Sequence, residues 1–206
     1  MRNDTIDAFL EALASRVPAP GGGATAALHA AQAAALVAMV ARYSDGTRYA
    51  EQAEAIGRVR DTADTLREEA LTLAERDAAA FTAVTEAYQL PKGTADEAAR
   101  PSAAIADALL GAARPPAAVI DVAGSVLDLA EVLLPVGNPN VVSDVAAAAE
   151  AARAAATTAR VNVEINLSGI TDDAARAELL DSARAVDGLA ERADKVTAAV
   201  LAELAR

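Results

Sequence analysis

The feature that most constrains this chain is a run of apolar residues that recur every three or four positions between residues 56 and 88. That spacing places side chains on one face of a single helix. The apolar positions are Ile56, Val59, Ala63, Leu66, Ala70, Leu73, Phe81, Val84 and Tyr88. Four residues after Leu73, the pattern meets Asp77 where an apolar residue is expected. The run therefore predicts one long helix that carries an acid on its buried face.

An acid on a buried helix face requires an explanation. Burying a carboxylate without a partner costs on the order of several kcal/mol, so such an acid is usually ion-paired, hydrogen-bonded or catalytic. The face is rich in alanine and therefore narrow, which leaves two structural alternatives: a place at the solvent edge, or an ion pair with an arginine. We interpret Asp77 as a functional acid.

The composition predicts the fold class. Apolar residues make up 53% of the chain but aromatic residues only 2%, because alanine supplies most of the apolar fraction. Alanine is the best helix former, so we predict an all-α protein, an up-and-down bundle of long helices. We find no linker rich in proline, glycine or serine, and we treat residues 1–206 as one domain. An alanine core buries little area per residue, so we expect a dimer that buries more.

The charge and the missing residue types narrow the partners. A net charge of −12 argues against binding to nucleic acid or to an anionic membrane. The longest apolar run, residues 33–41, is shorter than the ~20 residues of a membrane span, and the N-terminus lacks the apolar segment of a signal peptide. We therefore expect a cytoplasmic protein. With no cysteine and His29 as the single histidine, we expect no metal site.

Turn and capping signals divide the chain into predicted helices. Thr47, Thr94 and Thr171–Asp173 are the expected caps, and Pro115–Pro116 is expected to end one helix and begin another. Residues 161–167 alternate like a strand but lie in a helical context, so we predict helix there. The predicted helices cover about residues 4–15, 24–43, 47–90, 95–114, 116–133, 143–167 and 172–206.

Two further motifs lie on the predicted helices. Gly21, Gly22 and Gly23 precede an alanine-rich helix, and they leave backbone N–H groups uncovered where an anion, a carbonyl oxygen or another backbone can approach. A tight turn into a closely packed helix is the alternative. Asn162 and Asn166 are four residues apart and share one helix face, which indicates a polar role; a helix–helix contact or simple exposure is the alternative.

Together, these motifs resemble those of a known family in order and spacing. They are Pro20–Gly23, Asp77–Phe81, Leu90–Lys92, Gly137–Asn138, Ser143–Val145, Asn162–Leu167 and Thr171–Asp172. From about residue 9 to residue 204, the sequence resembles the cyclodeaminase/cyclohydrolase family. The resemblance implies an all-α dimer with a folate site in a cleft near the subunit interface. It also implies chemistry on the one-carbon unit that bridges N5 and N10 of tetrahydrofolate.

The resemblance also suggests roles for individual residues. Asp77 matches the catalytic acid of the family, and Asp144 is expected to assist it unless it is only an acid favoured by a helix dipole. The family usually has serine after the three glycines, where this chain has Ala24. The expected substrate-binding residues are Gly21, Gly22, Gly23, Asn162 and Asn166 for the pterin, and Lys92, Arg48 and Arg100 for the glutamate carboxylates. A solvated surface charge is the alternative for each of these three cations.

Three functions are consistent with this resemblance. We expect a formimidoyltetrahydrofolate cyclodeaminase, which converts 5-formimino-tetrahydrofolate into the 5,10-methenyl form and ammonia. A 5,10-methenyltetrahydrofolate cyclohydrolase is the alternative within the family. A helical dimer that binds folate or serves as a scaffold, without catalysis, is the alternative of another class.

Overall fold

The computed structural model describes residues 2–91 and 95–205, with residues 95–100 described by their backbone alone. Over this range the protein is a bundle of α-helices without strands, which confirms the predicted all-α class. The helices are α1 (Ile6–Ala14), α2 (Gly22–Arg42), α3 (Ala53–Tyr88), α4 (Ala95–Leu133), α5 (Val142–Leu167) and α6 (Asp173–Leu204), with 3₁₀ turns at Thr47–Tyr49 and Pro139–Val141.

Helix α2 lies at the centre of the bundle. It packs against α3, α4 and α5, and α4 in turn packs against α3, α5 and α6. Its buried face consists mainly of alanine, whose small side chain lets neighbouring helices approach closely. By length and composition alone, α2 is apolar enough to cross a membrane. Most of its residues are buried inside the bundle, however, so a place in the core accounts for its composition.

Short connections make consecutive long helices antiparallel. The start of α2 therefore lies beside the last turns of α3 and α5, and we call this part of the bundle the glycine end after Gly21–Gly23. At the opposite end, the Ser44 hydroxyl donates to the carbonyl of Val40 at 2.8 Å and accepts from the N–H of Asn138 at 2.8 Å. We call that part the Ser44 end.

The predicted break at Pro115–Pro116 is wrong, because α4 runs without interruption through both prolines. Each proline lacks the N–H that would bond to a carbonyl four residues earlier, here those of Gly111 and Ala112. Both proline rings are buried, so packing against the core compensates for the missing bonds.

The predicted helix caps have different outcomes. Thr47 does not cap α3, because it begins a 3₁₀ turn and α3 starts only at Ala53. The prediction for Asp172 is confirmed, since its carboxylate accepts from the backbone N–H groups of Ala174 and Ala175. Thr94 lies outside the described residues. Residues 161–167 are helical, as their context predicted.

Candidate active site

A cavity of about 370 Å³ opens at the glycine end, just beyond the first turn of α2. Helices α3 and α5 lie on opposite sides of it, and α4 contributes Leu109 and Ala112. Among the described residues that line it, none is cationic. The full lining is Pro18, Ala19, Gly21, Gly22, Gly23, Asp77, Phe81, Tyr88, Leu109, Ala112, Asn162, Ile165 and Asn166.

Asp77 lies against the backbone of α2, and Gly23 makes this contact possible. A Cβ atom at residue 23 would lie 2.0 Å from Oδ1 of Asp77, far inside the distance that two non-bonded atoms allow. The backbone N–H of Ala24 donates a hydrogen bond to the Asp77 carboxylate. Gly21, the N-cap of α2, makes no side-chain cap bond. Asp77 therefore supplies from α3 the acceptor that α2 lacks at its own start.

The contact with Ala24 uses only its backbone. The Ala24 side chain is fully buried, whereas its N–H faces the carboxylate. The hydrogen bond to Asp77 therefore does not need a serine hydroxyl at position 24, although the resemblance led us to expect one.

The surroundings of Asp77 favour its neutral form. Burial raises the pKa of its carboxyl group from 3.8 to about 6, against the opposing effect of the Ala24 N–H. Removing water destabilises the carboxylate more than one backbone donor stabilises it. Near neutral pH, both the acid and its conjugate base are accessible, which is the condition for a group that takes and returns a proton.

The two asparagines present hydrogen-bond acceptors. The Nδ2 atom of Asn162 donates to the carbonyl of Thr158 at 2.8 Å, and Nδ2 of Asn166 donates to the carbonyl of Asn162 at 2.8 Å. These bonds fix each amide nitrogen on the helix backbone and leave each Oδ1 as an acceptor. Together with Asp77, the amide oxygens suit a ligand that donates hydrogen bonds or carries positive charge.

Gly22 leaves room for the side-chain amide of Asn162. A Cβ atom at residue 22 would lie 3.2 Å from Nδ2 of Asn162, tighter than ordinary van der Waals contact. At Gly21 a Cβ atom would meet nothing within 4 Å. The three consecutive glycines therefore differ: Gly23 accommodates Asp77, Gly22 accommodates Asn162, and Gly21 leaves its side of the cavity open.

All five residues predicted to bind the pterin line this cavity together with Asp77, but Arg48 and Asp144 do not. The 21 residues of α2 span about 31 Å, and Arg48 lies beyond the Ser44 end, exposed and 5.7 Å above the ring of Tyr49. Asp144 is in the first turn of α5, roughly 27 Å along the helix from Asn162. Within one subunit, neither reaches a group held by Asp77.

The remaining predicted cations lie partly or wholly outside the structural description. Lys92 is outside the described residues, and so is the side chain of Arg100.

Asp144 has the position of the structural alternative, an acid in a first helical turn where the helix dipole stabilises negative charge.

The structure adds large apolar side chains that sequence reasoning did not assign to the site. Phe81 and Tyr88 line the cavity with 48% and 55% of their surface exposed, and Ile165 faces it from α5 with 74% exposed. The two aromatic residues belong to the periodic face of α3, which predicted burial for them. They follow Asp77 on the same face, and this signal identifies them once Asp77 is placed in a site.

Known proteins resemble the chain along most of its length. Residues 5–185 match the model of the family described as formiminotransferase-cyclodeaminase. A methenyltetrahydrofolate cyclohydrolase of Methylorubrum extorquens is 40% identical over 179 residues, which are 86% of each chain. A formimidoyltransferase-cyclodeaminase of Gallus gallus is 34% identical over 200 residues, 97% of this chain but 36% of that protein. This chain therefore spans about a third of the length of that relative.

A solved structure supports the same relationship. The crystal structure of a formiminotetrahydrofolate cyclodeaminase from Thermotoga maritima superposes with a TM-score of 0.84 at 29% identity. The match covers 97% of this chain and 98% of that one, so the two bundles share their architecture from end to end.

Proposed function

The chain belongs to the formiminotransferase-cyclodeaminase family, and we propose that it is a 5,10-methenyltetrahydrofolate cyclohydrolase. The observation that carries the proposal is the Asp77 carboxyl group, which is partly buried and has no cationic partner among the described residues that line the cavity. The methenyl bridge of the substrate carries positive charge, which this lining complements. The hydrolase is favoured because the Methylorubrum relative is 40% identical to the chain, against 34% for the Gallus gallus relative and 29% for the Thermotoga cyclodeaminase.

The proposed reaction uses Asp77 as base and then as acid. Asp77 accepts a proton from water as the water oxygen forms a bond to the methenyl carbon. The bond from that carbon to N5 then breaks, its electron pair goes to N5, and Asp77 returns the proton there. The hydroxyl proton leaves to solvent, which gives the carbonyl of 10-formyl-tetrahydrofolate and releases one proton overall. The amide oxygens of Asn162 and Asn166 accept hydrogen bonds from the pterin edge.

The cyclodeaminase predicted from the sequence is the second candidate. The Thermotoga structure favours it, because that crystallised chain carries the name and matches this chain from end to end. Here N10 would attack the carbon of the protonated formimino group and pass its proton to Asp77, which would deliver that proton to the departing nitrogen as the bond between carbon and nitrogen breaks and its electron pair goes to the nitrogen. Ammonia would leave, and the methenyl cation would form beside the carboxylate. Both reactions need one carboxyl group that is accessible in two protonation states.

The test is an absorbance assay with the purified protein. We expect the wild type to accelerate the loss of the methenyl-tetrahydrofolate band over the uncatalysed reaction. Asp77→Asn should slow this by roughly 10²–10⁴-fold without changing the helical circular dichroism, and Asp144→Asn should retain the rate. Formation of the band from 5-formimino-tetrahydrofolate would instead favour the cyclodeaminase. A protein that leaves both compounds unchanged would refute the enzymatic proposal.

We further propose that the protein works in the cytoplasm as a homodimer and uses the folate as substrate without a cofactor. Large apolar side chains are exposed on α1 and at the end of α6, where a partner subunit can cover them: Ile6 (80%), Leu10 (53%), Leu201 (62%) and Leu204 (62%). Light scattering after gel filtration should give twice the chain mass of 20.8 kDa. A monomer at micromolar concentration would contradict the dimer.

A further inference from the structure

Aromatic residues are scarce in this protein, and two of them line the Asp77 cavity. The sequence contains two phenylalanines and three tyrosines in 206 residues. Phe81 and Tyr88 both line the cavity, and about half of the surface of each remains exposed. Because these rings are only partly covered by the helix bundle, core packing does not account for their position. An exposed aromatic surface at the rim of a cavity is a binding surface for a flat ligand.

The two rings form a row with Asp77 along one face of α3. Phe81 follows Asp77 by four residues and Tyr88 follows it by eleven. In an α-helix, these steps turn the side chain by only about 40° and 20° from Asp77. They advance about 6 Å and 16 Å along the axis. Helix α3 therefore extends past the start of α2, with the carboxyl group at the inner end of the row and Tyr88 at the outer end.

The opposite wall gives this row the shape of a slot. Ile165 lines the cavity from α5 and is 74% exposed, and Leu109 lines it from α4. An apolar slot that runs outward from a carboxyl group suits a ligand with a charged centre and a flat apolar extension.

A folate has this form. Its one-carbon bridge joins N5 of the pteridine to N10, and N10 carries an aminobenzoyl ring that leads to glutamate. With the bridge at Asp77 and the pteridine edge at the asparagine amides, the aminobenzoyl ring points away from both. Phe81, one helical turn from Asp77, is within reach of that ring.

We propose that Phe81 and Tyr88 are positioning residues that bind the aminobenzoyl tail of the folate and so hold its N5–N10 bridge beside Asp77. This inference rests on the proposed function of the same site. Phe81 packs against the aminobenzoyl ring, and Tyr88 bounds the tail where it leaves the slot. The pteridine end makes its contacts elsewhere, so loss of the aromatic rings weakens binding of the tail and leaves binding of the pteridine unchanged.

The test compares two probes by titration calorimetry: 5-formyl-tetrahydrofolate, which carries the tail, and 6-methyl-tetrahydropterin, which lacks it. Phe81→Ala should weaken binding of the folate roughly 10-fold and change binding of the pterin by less than about twofold. Tyr88→Ala should show the same selectivity with a smaller loss. Phe81→Tyr should keep the folate affinity of the wild type, because the aromatic ring is retained.

Phe9→Ala is the matched control, because Phe9 is the other phenylalanine and lines a different cavity, between α1 and the helices α2 and α3. It should leave the affinity of both probes unchanged. In the absorbance assay, Phe81→Ala should raise KM more than it lowers kcat, since the ring holds the substrate and transfers no proton.

Two results would overturn the inference while leaving the proposed function intact. Equal losses of affinity for the folate and the pterin would show that Phe81 contacts the pteridine or stabilises the fold. If Phe81→Ala changes the mass of the oligomer but not the ratio of the two affinities, the rings belong to a subunit interface. A wild-type protein that binds neither probe would refute the proposed function itself, and this inference with it.

Discussion

The cavity of Asp77 and the contact between α4 and α6 use the same kind of side chain in opposite ways. At the contact, Arg192 of α6 donates to both carboxylate oxygens of Glu131, at 2.8 and 2.9 Å, and to Asp128 at 2.5 Å. The hydrogen bonds and charge of Arg192 lower the pKa of Glu131. In the cavity, burial raises the pKa of Asp77 to about 6. One carboxylate is matched by a cation, whereas the other keeps its charge available for a ligand.

The difference separates a structural acid from the one that we propose to be catalytic. A guanidinium group that satisfies a carboxylate also removes its ability to take up a proton near neutral pH. The protein excludes such a group from the described lining of the cavity and uses the N–H of Ala24 instead. Stability is lowered at the cavity, where the proposed reaction transfers a proton, and slightly raised at the surface contact, where no reaction is proposed.

The largest expected effect follows from Gly23→Ala. Its methyl group would lie 2.0 Å from Oδ1 of Asp77, so the carboxyl group must move. A displacement of about 1 Å in a reacting group can cost about 100-fold in rate, and we expect at least that loss in kcat/KM. Gly22→Ala, which presses on Asn162, should lose less, and Gly57→Ala, with nothing within 4 Å, should lose nothing. Wild-type activity in Gly23→Ala would show that the position of Asp77 does not matter.

The next effect is on stability and has opposite signs in the two regions. Because the folded-state pKa of Asp77 is raised from 3.8 to about 6, the native state binds more protons than the unfolded state between these values. Its stability therefore falls as pH rises through that window. Asp77→Asn should be about 2–3 kcal/mol more stable than the wild type at pH 8 and equal to it near pH 3, by urea unfolding. Equal stability at both pH values would contradict the raised pKa.

Glu131→Gln should give the reverse result. The folded-state pKa of Glu131 is lowered by Arg192, so its stabilising effect is present above its ordinary value of 4.5 and is lost as pH falls through the lowered one. The pair is partly exposed, with side-chain exposures of 30% and 42%, and we expect a loss of at most about 1 kcal/mol at pH 7. Activity should be unchanged. A loss of activity would mean that the α4–α6 contact controls the cavity.

The smallest effect is expected for Arg48→Ala. Arg48 lies at the Ser44 end, about one length of α2 from Asp77, and distant sites act independently. Turnover of methenyl-tetrahydrofolate should stay within about twofold of the wild type in the absorbance assay. A large rise in KM would instead mean that Arg48 reaches a folate site on a partner subunit.

The inner part of the site was predictable from sequence because it depends on local patterns. The position of Asp77 in the apolar face of α3, the glycines before α2 and the i, i+4 asparagines each have a period or a composition that can be read directly. The all-α class followed from alanine in the same way. These features depend on a few residues and on helix geometry, which are present in the sequence.

The sequence does not show which ends of the helices meet. Arg48 and Asp144 were expected at the folate site, whereas within one subunit the length of α2 separates the Ser44 end from the glycine end. Pro115 and Pro116 were expected to end a helix because the cost of proline is local, whereas the burial that compensates for it is tertiary. Phe81 and Tyr88 lie on the periodic face of α3 that the sequence predicted. The sequence does not show that α3 continues past the start of α2, so that α2 does not cover these two side chains.

The most direct test of the account is the pKa of Asp77 itself. In protein labelled with ¹³C at the aspartate carboxyl carbons, the signal that disappears in Asp77→Asn identifies the residue, and its chemical shift can be followed from pH 3 to pH 8. We expect a midpoint at about 6 for the Asp77 carboxyl group. A midpoint at or below the ordinary value of 3.8 would show a stabilised carboxylate and would contradict the role of Asp77 as acid and base.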